Sequence, residues 1–245
     1  MTMEIEVCID NIESLHIAQN AGATRIELCS SLDAGGLTPS YGFMKQAAKQ
    51  ATVPVYAMIR PRQGDFLFSD DDMAIMLDDI AAAREAGLQG VVIGCLTENG
   101  EVHRQQCQTL ISAATGLGVT FHRALDQCVD YQAALDTIIE LGCERVLTSG
   151  LAATAHDGLE TITKMVAYCG ERLSIMAGAG VNASNAAHIA HNSGIREIHL
   201  SGKTTRPSYM SNYSSAATMG DVDDFAIPVT DPNKIAAVVS LLKKD

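Results

Sequence analysis

The sequence predicts an α/β fold, a single (β/α)8 barrel of TIM type running through residues 1–245. Three observations predict it. Apolar extended segments recur eight times, at 4–9, 25–29, 53–60, 90–95, 119–124, 145–149, 173–178 and 197–201. Stretches with helical spacing fall between them. Several of those stretches stop at a glycine just ahead of the next strand, where a left-handed residue ends a helix without steric penalty. Eight such units with no linker or composition shift close as a barrel, with an open doubly wound sheet as the alternative.

The elements follow in order. Segment 4–9 alternates, so Ile5 and Val7 take one face and Glu6 and Cys8 the other. Helix 11–21 stops at Ala21-Gly22-Ala23, and segment 25–29 repeats the pattern with Ile26 and Leu28 against Glu27 and Cys29. Ser40 caps helix 40–51, and strand 53–60 ends at Met58-Ile59-Arg60. Helix 70–86 stops at Gly87, strand 90–95 ends at Cys95, and helix 102–116 runs to Leu117-Gly118. Strand 119–124 carries His122, and Asp130 caps helix 131–141, which stops at Gly142. Strand 145–149 and helix 157–169 follow. Strand 173–178 enters the run Met176-Ala177-Gly178-Ala179-Gly180-Val181, and Asn182 caps helix 183–193. Strand 197–201 sends Ile198 and Leu200 outward and Glu197, His199 and Ser201 inward, and helix 232–243 comes last. Residues 203–231, rich in Ser, Thr, Tyr and Met, show no period; they form a lid over the barrel mouth or an interface arm.

Composition excludes several classes. The formal charge is −12 and no Lys/Arg-rich run occurs, which argues against nucleic acid and anionic membrane as partners. No apolar stretch approaches the roughly 20 residues that span a bilayer. The residues Met1-Thr2-Met3-Glu4-Ile5-Glu6 show neither a basic region nor a signal-type apolar run, so a cytoplasmic location is expected. The cysteines at 8, 29, 95, 107, 128, 143 and 169 make an odd number without CxxC spacing, the pattern of free thiols in a reducing compartment.

Ligands meet such barrels where the strands end. There the alternation gathers Glu6, Glu27, Arg60, His122 and His199 as candidate catalytic residues. A histidine at a strand end is often simply hydrogen-bonded structure, and Arg60 has a bland role as counter-ion to Glu27. The set is another matter, because buried charge without a role costs several kcal/mol. Carboxylate with imidazole suits proton transfer, with Arg60 or Arg62 holding an anionic group and Asp65 in the same loop. The same acids and imidazoles suit a divalent metal, Mn²⁺, Mg²⁺ or Zn²⁺. No strand carries an inward lysine, and Lys203 lies just past the last one, which disfavours a Schiff base. Gly178 and Gly180, with Ser149 and Ser201 on the same side, form an anion site of the kind that takes phosphate, or merely let a helix pack closely. Cys8 and Cys29, at matching places on adjacent strands, are a candidate metal pair for the soft ion Cu(I), or a disulfide on oxidation. Met58 and Cys95 are further soft atoms, with core packing as the plainer reading.

Several runs are distinctive. Arg25-Ile26-Glu27-Leu28-Cys29, Gly35-Gly36-Leu37-Thr38-Pro39-Ser40, Arg60-Pro61-Arg62-Gln63-Gly64-Asp65-Phe66, Thr120-Phe121-His122-Arg123-Ala124, Arg145-Val146-Leu147-Thr148-Ser149-Gly150 and Met176–Val181 together resemble the CutC family. The likeness extends from about 4 to 202 and resumes around 219–243. It implies a barrel, a homo-oligomer with a dimer favoured, and a part in copper homeostasis. Some relatives carry a second consecutive cysteine on the first strand, where this chain has Cys8-Ile9, which leaves Cys8 and Cys29 as the ligand pair.

Two functions from different classes follow. One is Cu(I) handling through Cys8 and Cys29. The other is an enzyme acting on a small anionic metabolite, phosphorylated or not, with Glu27 as base, His122 as acid or ligand and Arg60 as anion clamp. A scaffold that meets a partner through 203–231 is the blander third.

Overall fold

Strands β1 (Glu4–Ile9), β2 (Arg25–Leu28), β3 (Val55–Met58), β4 (Gly90–Ile93), β5 (Gly118–Phe121), β6 (Arg145–Thr148), β7 (Ser174–Ala177) and β8 (Glu197–Leu200) close a parallel barrel in chain order. Helices α1 (Ile12–Asn20), α2 (Tyr41–Gln50), α3 (Asp70–Ala86), α4 (Arg104–Ala113), α5 (Tyr131–Glu140), α6 (Leu159–Cys169) and α7 (Ala186–Ser193) cross back between them, and α8 (Pro232–Leu242) follows at the end. The fold is thus a TIM-type (β/α)8 barrel. This computed structural model describes residues 3–214, 216–217, 219 and 223–243. Met1 and Thr2, and residues 215, 218 and 220–222 of the segment expected to be irregular, lie outside it.

The strand alternation divides the interior in two. Ile5, Val7, Ile26, Leu28, Val91, Ile198 and Leu200 face the helices and belong to one apolar cluster with Leu15, Met76, Ile80 and Leu110 from the helical layer. That layer is where most apolar surface leaves water, at about 25 cal/mol per Å². The opposite faces fill the barrel itself, and several are charged: Glu6, Arg25, Glu27, Glu197 and His199 are all buried.

The lower half of the barrel carries a chain of ion pairs. Arg25 donates from Nε to Glu6 at 2.5 Å and from Nη2 to Glu197 at 2.5 Å, and Arg145 donates from Nε to Glu197 at 2.9 Å. Arg145 also donates to Thr120 at 3.0 Å, and the Tyr56 hydroxyl donates to Glu144 at 2.9 Å. Glycines make room for the Tyr56 ring: a Cβ on Gly90 would stand 2.2 Å from it. Two carboxylates and two guanidiniums in one chain answer one another's charge, which buried ions require.

Local chemistry explains the boundaries. The Ser40 hydroxyl accepts from the Phe43 N–H at 3.2 Å, and the Asp130 carboxylate accepts from Gln132 and Ala133 N–H at 2.9 and 3.2 Å. Asn182 does not cap α7. Its side chain accepts from Ser184 N–H at 2.9 Å in a local turn, and the helix begins only at Ala186. The segment after β8 also holds more order than its composition shows. β9 (Lys203–Pro207) and β10 (Ala226–Thr230) pair antiparallel, and the described residues between them belong to no strand or helix.

Candidate functional site

A cavity of about 660 Å³ opens at the C-terminal end of the barrel. Cys8, Glu27, Arg60, His122, Gly180 and His199 are among its lining residues. The parallel register sets the heights: Cys8 lies beside Glu27, and Glu6, one layer lower, beside His199.

Cys8, Glu27 and His199 form one cluster, in which each offers an atom within 4.8 Å of the other two. The His199 Nδ1–H donates to Glu6 Oε1 at 2.8 Å, which turns Nε2 toward Glu27 Oε2 at 3.9 Å. Burial opposes a charge on His199, but the Cys8 thiol, Glu27 and Glu6 together hold its pKa well above the ordinary imidazole value. Burial raises the pKa of Glu27, with His199 pulling the other way. Glu6 is buried too, yet the His199 hydrogen bond and the Arg25 guanidinium hold its carboxyl down to about 2.

Cys29 is not level with Cys8. The sequence places the two at matching positions, but the register pairs Cys8 with Glu27 and sets Cys29 two residues beyond it. The Cys29 Sγ–H donates to Glu27 Oε2 at 3.5 Å, and its thiol packs with Tyr56, Met58 and Val92. Burial, then the Glu27 charge, pushes that thiol well above its ordinary value. Cys95 belongs to the apolar cluster between barrel and helices.

Arg60 does not neutralise Glu27. Its guanidinium donates to the carbonyls of Ala34, Gly36 and Gly64 at 3.0, 3.1 and 2.8 Å and lies 5.1 Å from the Phe66 ring centre. The Nε has no partner among the described residues. His122 accepts at Nδ1 from the Ala124 N–H at 3.2 Å, which places its own proton on Nε2. Burial, then the nearby Arg60 charge, lowers its pKa to about 3, so the ring is a neutral donor. Among the described residues its Nε2 has no partner either, and neither has Glu27 Oε1.

The remaining candidates divide. Ser201 and Gly180 line the cavity. Gly178 leaves the space taken by Leu147 and His199: a Cβ there would stand 2.6 Å from Leu147 Cδ1. Ser149 is already engaged, its single hydroxyl proton held between Asp126 at 2.9 Å and Ala152 O at 2.6 Å. Arg62 and Asp65, expected at the anion site, pair with each other at 3.1 Å on the loop after β3, outside the cavity lining. Lys203 lines the rim and is paired to Asp33 at 2.8 Å.

Sequence reasoning passes over Arg123 and Asp126, which also line the cavity. Asp126 accepts from Arg123 Nε at 2.8 Å and from Thr148 Oγ1 at 2.5 Å, tying the loops after β5 and β6 together. They sit in a 3₁₀ turn, Arg123–Gln127, where a period of two gives no facing. One more feature of the mouth has no sequence signal. Ser31, Leu151 and Ala179 have φ of 50°, 61° and 77°, the non-glycine left-handed residues among those described, and all lie on loops after barrel strands. Such conformations cost about 1–3 kcal/mol each and gather at working sites.

The comparisons with known proteins agree on one family. The CutC family profile matches residues 3–204. A relative named family protein CutC, from Photobacterium profundum, is 64% identical over 99% of this chain and 100% of its own length. A solved structure named for copper homeostasis, CutC from Streptococcus agalactiae, is 33% identical with a TM-score of 0.77, covering 81% of this chain and 98% of that one. N-(5'-phosphoribosyl)anthranilate isomerase from Pyrococcus furiosus superposes with a TM-score of 0.58 at 15% identity, covering 99% of this chain and 100% of its own, a likeness of fold alone. No described helix is long and apolar enough to cross a membrane.

Proposed function

The chain belongs to the CutC family, and from the geometry of its barrel mouth we propose that this is the reactive centre for a small anionic metabolite. One observation carries the reading. Glu27, Arg60 and His122 line a single cavity, and each keeps one buried polar atom without a partner among the described residues. A buried donor or acceptor left unpaired costs about 1–3 kcal/mol, and a polar ligand that draws these groups to itself recovers it. Arg60 and His122 supply donors for an oxygen-bearing group. Glu27 and His199, with Oε2 and Nε2 3.9 Å apart, present a carboxylate and an imidazole to the same bound group. The 660 Å³ volume suits a molecule of metabolite size.

The test is a thermal-shift panel of small carboxylates, enolisable carbonyl compounds and phosphate esters. At least one class stabilises the wild type, and His122→Gln and Glu27→Gln weaken that shift while keeping the fold. A panel in which nothing raises Tm, or in which both variants respond like wild type, overturns the reading.

Copper handling is the second reading. It is supported by the Streptococcus agalactiae relative's name and by two thiols, Cys8 and Cys29, on either side of Glu27. A Cu(I) ion held by both needs Cys29 to give up its S–H contact with Glu27 Oε2, made at 3.5 Å. That cost ranks the reading below the first. Anaerobic Cu(I) titration against a competing chelator decides it: binding near one ion per chain, lost in Cys8→Ser/Cys29→Ser, reinstates copper as the cargo.

The same proposal places the protein in the cytoplasm as a dimer, with the β9–β10 hairpin as its arm. Tyr209, Met210, Tyr213 and Met219 expose large apolar side chains there, which supports an interface. Sedimentation of the wild type beside a Tyr209→Ser/Tyr213→Ser variant reads the oligomer directly.

A further inference from the structure

The geometry points to a divalent-cation site of the zinc class, built from the Cys8 thiolate, the Glu27 carboxylate and the His199 imidazole, with Glu6 as the outer carboxylate. This deepens the reading of the mouth as a reactive centre and rests on it. The three ligand atoms already lie within 4.8 Å of one another, and the His199 and Glu27 atoms stand 3.9 Å apart. Ligands of a tetrahedral zinc-type ion sit about 3.3–3.8 Å apart, given metal–ligand distances of about 2.0–2.3 Å. Small side-chain rotations close the difference.

The outer contacts match what such an ion demands. A metal-bound histidine ordinarily gives its other N–H to a carboxylate, which fixes the ring and raises its basicity. His199 does so to Glu6 at 2.8 Å, and Glu6 is itself fixed by Arg25 at 2.5 Å. Cys29 plays the corresponding part for Glu27, donating its S–H to Oε2 at 3.5 Å. Cys29 is therefore an outer donor rather than a ligand, which separates this site from a two-thiol copper site.

The donor types select the ion. One sulfur, one nitrogen and one oxygen suit a borderline cation. Mg²⁺ and Ca²⁺ prefer all-oxygen shells, and Cu(I) prefers a soft sulfur-rich one. Two anionic ligands balance a 2+ charge. Cys8, Glu27 and His199 all line the cavity, so the remaining coordination position opens toward it. Three protein ligands with one open position is the pattern of catalytic rather than structural zinc. The unpartnered Glu27 Oε1 is a second sign that the carboxylate lacks a companion. An ion there polarises a substrate oxygen or lowers the pKa of a bound water.

Co²⁺ is the probe, titrated anaerobically into reduced, chelator-stripped protein and followed by absorbance. One Co²⁺ per chain is expected, with intense low-coordination d–d bands and a sulfur-to-cobalt charge-transfer band. Cys8→Ser removes the charge-transfer band, and Cys29→Ser keeps it. Glu6→Gln keeps the band but binds about 10–100-fold more weakly. Far-UV circular dichroism confirms that each variant is folded. No charge-transfer band in the wild type, or a band lost in Cys29→Ser and kept in Cys8→Ser, overturns the site. The readout needs no substrate, so a failed metabolite panel and a failed metal site are told apart.

Discussion

Glu6 and His199 stand opposite each other across the β1–β8 seam, joined by a 2.8 Å bond from Nδ1 to Oε1. The same carboxylate receives Arg25 through its other oxygen. One buried group therefore links the ion-pair chain below to the reactive corner above. Removing it takes one of two carboxylates from Arg25 and the Nδ1 acceptor from His199, and breaking a buried pair costs about 3–5 kcal/mol. Glu6→Leu is expected to lose that much in urea unfolding, with Glu6→Gln losing less because it retains an acceptor. A Glu6→Leu change under about 1 kcal/mol rules out the linking role.

Acid stability isolates His122. Its pKa is near 3 in the fold against an ordinary 6.5, so below pH 6.5 the unfolded chain takes a proton that the folded one refuses. Stability then falls with pH at up to about 1.4 kcal/mol per unit, from 6.5 down to 3. Glu6, held near 2 against 4.5, contributes stability above 4.5 that is lost as pH falls below it. Between pH 6.5 and 4.5, His122→Asn is expected to flatten the wild-type slope. Equal slopes in the two proteins contradict a neutral buried His122.

Two glycines carry opposite expectations. A Cβ on Gly94 would stand 2.5 Å from His122 Cε1 and 2.6 Å from Nδ1, so Gly94→Ala displaces the ring and costs about 1–3 kcal/mol. Gly42, in the first turn of α2, has nothing within 4 Å of its added Cβ. Gly42→Ala is expected to stabilise by about 0.4–1 kcal/mol through the unfolded chain. Thermal melts of the two variants beside wild type give the signs.

Thiol labelling ranks the cysteines. Cys8 faces the cavity, whereas Cys29, Cys95 and Cys107 are fully buried. Burial pushes Cys128 and Cys143 up to about 12 and Cys169 up to about 11, leaving little thiolate at neutral pH. Iodoacetamide pulses read by peptide mass spectrometry are expected to mark Cys8 first, the rest only on unfolding. Early labelling of Cys29 or Cys143 contradicts the burial order.

The barrel is legible in the sequence because period and punctuation are local. Alternation tells the inward faces of β1, β2 and β8, and glycines such as Gly87, Gly142 and Gly194 mark where helices stop. Register is not local, and there the reading slips. Cys8 and Cys29 each lie two residues past a glutamate, yet strand stagger sets Cys8 beside Glu27. Arg60 has one obvious anionic neighbour in the sequence pattern and takes three loop carbonyls, which no periodicity encodes. Arg25 is different: it shares the inward parity of Glu27, and that parity alone places it in the interior beside Glu6.

The ion-pair chain beneath the site has an evolutionary consequence. Glu6, Arg25, Glu197 and Arg145 form a linear sequence of mutual dependencies, in which each inner member answers to two others. A single substitution removes one of a neighbour's partners and unbalances the charge of the chain, whereas a concerted replacement by apolar residues of similar volume is often neutral or stabilising. The four positions therefore drift together or stay put. Grafting this mouth onto another barrel would require carrying the whole quartet along with it.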